Sequence, residues 1–126
     1  MALNVLQAHP LSPLVRLVDD YLSSCRARGL SPRTDEQYGY ALRNVFLAWC
    51  DREGITRVEQ LDRRTLDRYT SFLLQKRTRS GRPITAHAVH SFVRPLRIML
   101  NWAAREGETV TAKPQLPRRE KPGRCR

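Results

Sequence analysis

Four stretches of this sequence repeat apolar residues every three or four positions, and each opens on residues suited to a helix start. That pattern leaves little room for anything but helices. Pro13 begins the first stretch, with Leu14, Leu17, Val18, Tyr21, Leu22 and Cys25 along one face and Gly29 as its stop. Ser31 and Pro32 open the second, where Tyr38, Leu42, Val45, Phe46 and Trp49 form the stripe and the end falls near Asp51 to Gly54. Asp35 and Glu36 lie in its first turns, where the helix dipole favours negative charge. Asp62 caps the third, which turns Leu66, Tyr69, Phe72 and Leu73 inward. Thr85 caps the fourth, which runs to about Glu106 with Val89, Val93, Leu96, Leu100 and Ala103 buried and Phe92, Met99 and Trp102 flanking.

The links are short or irregular. Leu30 leads straight from the first helix into Ser31, and Ile55 to Leu61 reads as an extended connection tucked under the bundle. Gly81 and Pro83 break the third helix inside a run crowded with cations. Pro95 lies mid-pattern in the fourth helix, where it removes a hydrogen bond and is expected to kink the chain. With no convincing strand, the expected fold is all-α: a compact four-helix bundle over 13–106, with a loose N-terminal arm over 1–12 and a basic linker or tail over 107–126.

Charge narrows the function. A net charge of +11 in 126 residues points to a polyanionic partner, nucleic acid or an anionic membrane surface. No apolar window reaches the roughly 20 residues a bilayer span needs, and Met1 to Pro13 does not read as a signal peptide. The expectation is a soluble cytoplasmic protein with no membrane partner. Cys25, Cys50 and Cys125 fit no metal-ligand spacing and suit a reduced compartment, with Cys25 and Cys50 as core residues and Cys125 exposed.

The positive charge is uneven. From Arg77 to Arg105 there are six arginines and not one Asp or Glu. On the fourth helix His87, His90 or Ser91, Arg94 and Arg97 follow at steps of three or four, opposite the apolar stripe. On the second, Arg33, Gln37, Tyr40 and Asn44 make a polar stripe that could face water or a phosphate backbone. Arginine makes forked hydrogen bonds to phosphates and guanine edges, and helix starts are themselves phosphate sites. Tyr40 could stack or hydrogen-bond there, or pack locally. The two stripes with the excess charge point to nucleic-acid binding. His87 and His90 share a face, but no acid or cysteine completes a ligand set, so no metal and no cofactor is expected. No phosphate-binding glycine loop or nucleophile elbow occurs.

The ordered set Leu17-Val18-Asp19-Asp20-Tyr21-Leu22, Leu30-Ser31-Pro32-Arg33-Thr34 with Tyr38, Leu42 and Phe46, Ile55 to Leu61 before Tyr69 and Leu73, and Leu96-Arg97 before Leu100 to Gly107 resembles one family. That family is the tyrosine recombinases, or phage integrases, and the matching part is their N-terminal core-binding, SAM-like domain. Pro95 departs from its pattern. The resemblance implies an orthogonal arrangement of the four-helix bundle, and half of a clamp around double-stranded DNA, with the second and fourth helices in contact. It places Arg33, Thr34 and Gln37 at one contact and His87, His90, Ser91, Arg94 and Arg97 at the other, Arg97 matching best. It also implies pairing with other recombinase protomers, a nucleoid-associated location when bound to DNA, and a linker role for the tail. The family's catalytic domain has no counterpart in this chain. No His-x-x-Arg occurs, and Tyr21, Tyr38 and Tyr69 fall on expected core faces, so no DNA cleavage and no small-molecule substrate is expected. Two other functions remain open: a stand-alone helical DNA binder, repressor-like or architectural, and a SAM-like protein-interaction module.

Overall fold

In the computed structural model, residues 12–114 are described. Their order is α1 (Pro13–Ala27), α2 (a continuous rod of three segments, Pro32–Gly39, Tyr40–Leu47 and Ala48–Glu53), a 3-10 turn at Val58–Gln60, α3 (Arg63–Leu74) and α4 (Ala86–Arg105). The protein is all-α among the described residues, and no helix there is long and apolar enough to cross a membrane.

Local chemistry sets the helix starts. Ser31 Oγ accepts from the Thr34 N–H at 3.2 Å, Asp62 Oδ1 from Thr65 at 2.8 Å, and Thr85 Oγ1 from Ala88 at 3.1 Å. Ser12 does the same for α1, accepting from Val15 at 3.1 Å, so it belongs to the helix start and not to the expected arm. Residues 1–11 of that arm lie outside the described residues.

The four apolar stripes meet in one core. α4 packs against α1, the middle of α2, and α3, while α1 also packs on the first segment of α2. Phe46 meets Tyr69 edge-on at 5.2 Å, Trp49 lies 5.2 Å from the same ring, and Tyr21 packs 5.4 Å from Trp102. Met99, expected on a flank, is fully buried, whereas Phe72 is only half-buried.

The middle of α2 is π-helical, over Tyr40–Leu47. The buried residues explain what the widened turn achieves. Ala41, Val45 and Trp49 form one row and Leu42, Phe46 and Cys50 another, each at steps of four. An α-helix advances about 100° per residue, so four-residue steps drift by about 40° each. Wider turns offset that drift and keep both rows on the buried side, the Tyr40–Leu47 segment against α4 and Trp49 against Tyr69 and Phe72 of α3.

Two expectations about the connections need correction, and a third connection gains detail. The segment 55–61 is not simply extended: Gln60 Oε1 accepts from the Thr56 and Arg57 N–H groups at 2.9 and 3.0 Å and folds a 3-10 turn, with Ile55, Val58 and Leu61 buried. The basic run after α3 is an ordered hairpin in which Arg77 and Pro83 form an antiparallel bridge. The expected tail does not leave the bundle at once. Val110 and Ala112 pack on the core, and Thr111 Oγ1 donates to the Leu61 carbonyl at 3.2 Å, so 107–114 is a strap across the bundle. Residues 115–126, with Cys125, lie outside the described residues.

Candidate nucleic-acid interface

α2 and α4 lie side by side through the Tyr40 and Phe92 rings, 6.2 Å apart. Between them runs an open groove of about 710 Å³. Thr34, Gln37 and Tyr40 line it from α2, and Ser91, Phe92, Arg94 and Pro95 line it from α4. A second concavity of about 500 Å³ follows α4, lined by His87, His90, Ser91, Arg94, Arg97, Ile98 and Asn101. Ser91 and Arg94 border both, so the two stripes read from the sequence join at these residues.

Two site residues do not join them. Arg33 and Asn44 are exposed on α2 but line neither concavity. Tyr38, expected in the core, is half-buried and lines the larger groove. Two polar residues outside the expected site set also line these concavities. Asn101 continues the α4 stripe four residues beyond Arg97, and that spacing is the signal for it. Glu36, four before Tyr40, lines the groove and introduces one acid there.

Pro95 does not end α4, which continues to Arg105 with the proline buried inside it. Having no N–H, Pro95 cannot donate to the Ser91 carbonyl, so that oxygen loses its usual helical partner beside the groove. The Ser91 hydroxyl is engaged within the helix, donating to the His87 carbonyl at 3.1 Å.

Several acids elsewhere are engaged with cations. Asp19 pairs with Arg43 at 3.0 Å, Asp35 with Arg26 at 3.2 Å, and Glu53 with Arg68 at 3.5 Å. Among the described residues, no partner holds the guanidinium groups of Arg94 or Arg97. Both are exposed and free to fork onto phosphate oxygens or the O6 and N7 of guanine. Gln37 and Asn101 offer the amides that pair with adenine. Glu36 only accepts, which suits a cytosine amino group and repels phosphate. Tyr40, 54% exposed, presents a ring to the groove.

Other reactive side chains are turned inward. Burial pushes the Tyr69 phenol well above its ordinary range, and nearby Cys50 adds to the rise. Burial also raises the Tyr21 phenol, helped by its hydrogen bond with Cys25. The Cys50 thiol is raised first by burial and then by Glu53. No group of three or more His, Cys, Asp or Glu stands close enough to hold a metal among the described residues. In comparisons with known proteins, no family model, curated protein or solved structure matches the chain.

Proposed function

We propose that this chain is a non-catalytic duplex-DNA-binding module of the tyrosine-recombinase type, which lays the α2–α4 surface along the DNA. The observation that carries the reading is the meeting of the two stripes at Ser91 and Arg94, within a stretch free of acids from Arg77 to Arg105. Such a surface combines the phosphate grips that position a protein with the amide and arginine groups that read base edges. The ordered sequence resemblance to the core-binding domain of integrases supports the same assignment. Its SAM-like class belongs to this proposal.

Titration of a labelled random-sequence duplex at several salt concentrations, read by fluorescence anisotropy, tests it. Binding is expected to weaken linearly in log salt. Each phosphate neutralised by the protein adds roughly 0.9 to the slope of that line, so Arg94→Ala/Arg97→Ala is expected to flatten it by about two. Helicity is expected to stay unchanged in the same variant. Absence of binding at low salt refutes the proposal, and a fall in helicity makes these arginines structural.

The short Arg28–Ser31 turn, with Gly29 at a positive φ of 89°, favours a second reading as a stand-alone helix-turn-helix binder. It predicts the same salt dependence. A recombinase-type module differs by pairing with copies of itself on DNA that carries two sites.

A further inference from the structure

The hairpin between α3 and α4 is built more rigidly than a helix connection requires. Thr78 N–H donates to the Arg82 carbonyl at 2.7 Å, Gly81 N–H to the Thr78 carbonyl at 2.9 Å, and Ile84 N–H to the Lys76 carbonyl at 3.3 Å. Gly81 takes a φ of 85°, the left-handed residue that closes a three-residue hairpin loop. The Thr78 hydroxyl ties the turn from inside, lying 2.9 Å from Ser80 Oγ and accepting from the Arg82 N–H at 3.2 Å. The base is anchored as well: Ile84 packs on the core and Lys76 lies over the Phe72 ring at 5.3 Å.

This small ribbon carries three exposed arginines in a fixed arrangement. Arg79 sits at the tip, in the loop between Thr78 and Gly81. Arg82 lies opposite Thr78 and Arg77 opposite Pro83, and successive pairs on a ribbon face opposite ways, so these two arginines flank the tip on either face. Arg77 leans on its own neighbours' carbonyls at 3.5 Å, while no described residue holds the side chains of Arg79 or Arg82. Thr85 caps α4 directly after the ribbon, so the hairpin adjoins the end of the helix where the stripe of His87, Arg94 and Arg97 begins.

We propose that the hairpin is a second DNA contact, with Arg79 reaching into the minor groove next to the segment held by α2 and α4, and Arg77 and Arg82 gripping the phosphates on its two rims. This inference rests on the duplex-DNA reading above. The dimensions support it. The strands of a ribbon stand about 4.8 Å apart before side chains are counted, too broad for a minor groove about 6 Å wide, so the backbone rides on the rim. A single arginine from the tip fits, and it is drawn most strongly where A-tracts narrow the groove and deepen its negative potential.

The test compares two labelled duplexes, one with an A-tract and one G·C-rich, by anisotropy across a salt series. Wild-type protein is expected to bind the A-tract duplex several-fold more tightly. Arg79→Ala is expected to remove that ratio. Arg77→Ala/Arg82→Ala is expected to keep the ratio and lower the salt slope by about two. A wild-type ratio of one, a ratio kept in Arg79→Ala, or an unchanged slope in the double variant overturns the hairpin contact. If Arg94→Ala/Arg97→Ala still loses binding in those cases, the α2–α4 interface stands without it. No duplex binding by wild-type protein overturns both.

Discussion

Tyr69 is fully buried, yet its hydroxyl has no hydrogen-bond partner among the described residues. Tyr69→Phe removes that oxygen and nothing else. The ring keeps its packing on Phe46 and Trp49, each at 5.2 Å, and on Phe72 at 6.2 Å. In the unfolded chain the phenol is hydrated, so folding strips it of water without compensation, at a cost of about 1–3 kcal/mol. Against this, the substitution leaves a void the size of one oxygen atom, worth roughly a few tenths of a kcal/mol. The net expectation is a gain of about 1–2 kcal/mol. For a domain of this size that raises Tm by roughly 4–8 °C per kcal/mol. Urea and thermal unfolding followed by far-UV circular dichroism read it directly, with Tyr69→Ala, expected to lose about 3–5 kcal/mol, as the control for packing. If Tyr69→Phe is instead less stable than wild type by about 1 kcal/mol or more, the hydroxyl makes a stabilising bond and the reasoning fails.

Pro95→Ala restores a donor to the Ser91 carbonyl. An interior proline costs a helix about 3 kcal/mol relative to alanine, and the lost ring burial returns roughly 1 of that, so urea unfolding should show a gain of about 1–2 kcal/mol; a loss would mean the ring's packing outweighs the missing bond. Asp62 is held below the usual carboxylate range by its bonds with Thr65, the backbone N–H first. A folded value below the unfolded one gives stability that is present above the ordinary carboxylate range and fades as pH falls through the lowered value. Asp62→Asn keeps an oxygen for the Thr65 N–H and is expected to lose less stability than wild type across that acid window, measured as Tm against pH; parallel curves would remove the cap from the acid response.

Helix starts are legible in the sequence because capping is decided within three residues: Ser31, Asp62 and Thr85 each bind the N–H three places on. Buried stripes are legible because a helix repeats its face. What escapes the sequence depends on packing between distant segments. The strap binds through Thr111 to Leu61, fifty positions earlier, and no local pattern announces that bond. The groove escapes in part for the same reason. The stripe on α2 names Arg33 and Asn44 beside Gln37 and Tyr40, but the packing of Tyr40 on Phe92 decides which part of that stripe faces α4. The π-helical segment adds a second reason, since it changes the angle at which residues after Tyr40 emerge. Its trace is in the sequence all the same, as strict four-residue steps from Ala41 to Trp49 and from Leu42 to Cys50.

The ion pairs acquire a role from this geography that their energies do not give them. Arg26–Asp35, Arg43–Asp19 and Arg68–Glu53 are exposed, and pairs of that kind contribute about 0–1 kcal/mol each. Their effect on the field is larger than their effect on stability. Each cancels a cation on α1, α2 or α3, whereas the hairpin and α4 have no acid between Arg77 and Arg105 to do the same. With charges screened over about 8 Å at physiological salt, an approaching polyanion responds to what lies unpaired nearby, not to the net charge of the chain. Among the described residues, positive charge is thereby concentrated on the hairpin and α4. Glu36 is the exception that limits the focus: placed at the α2 edge of the groove, it weakens phosphate attraction there and leaves α4 and the hairpin as the stronger grip. On the proposed DNA-binding function, a duplex would be drawn first to α4 and its hairpin, and α2 would supply the groups that discriminate among bases once it is seated.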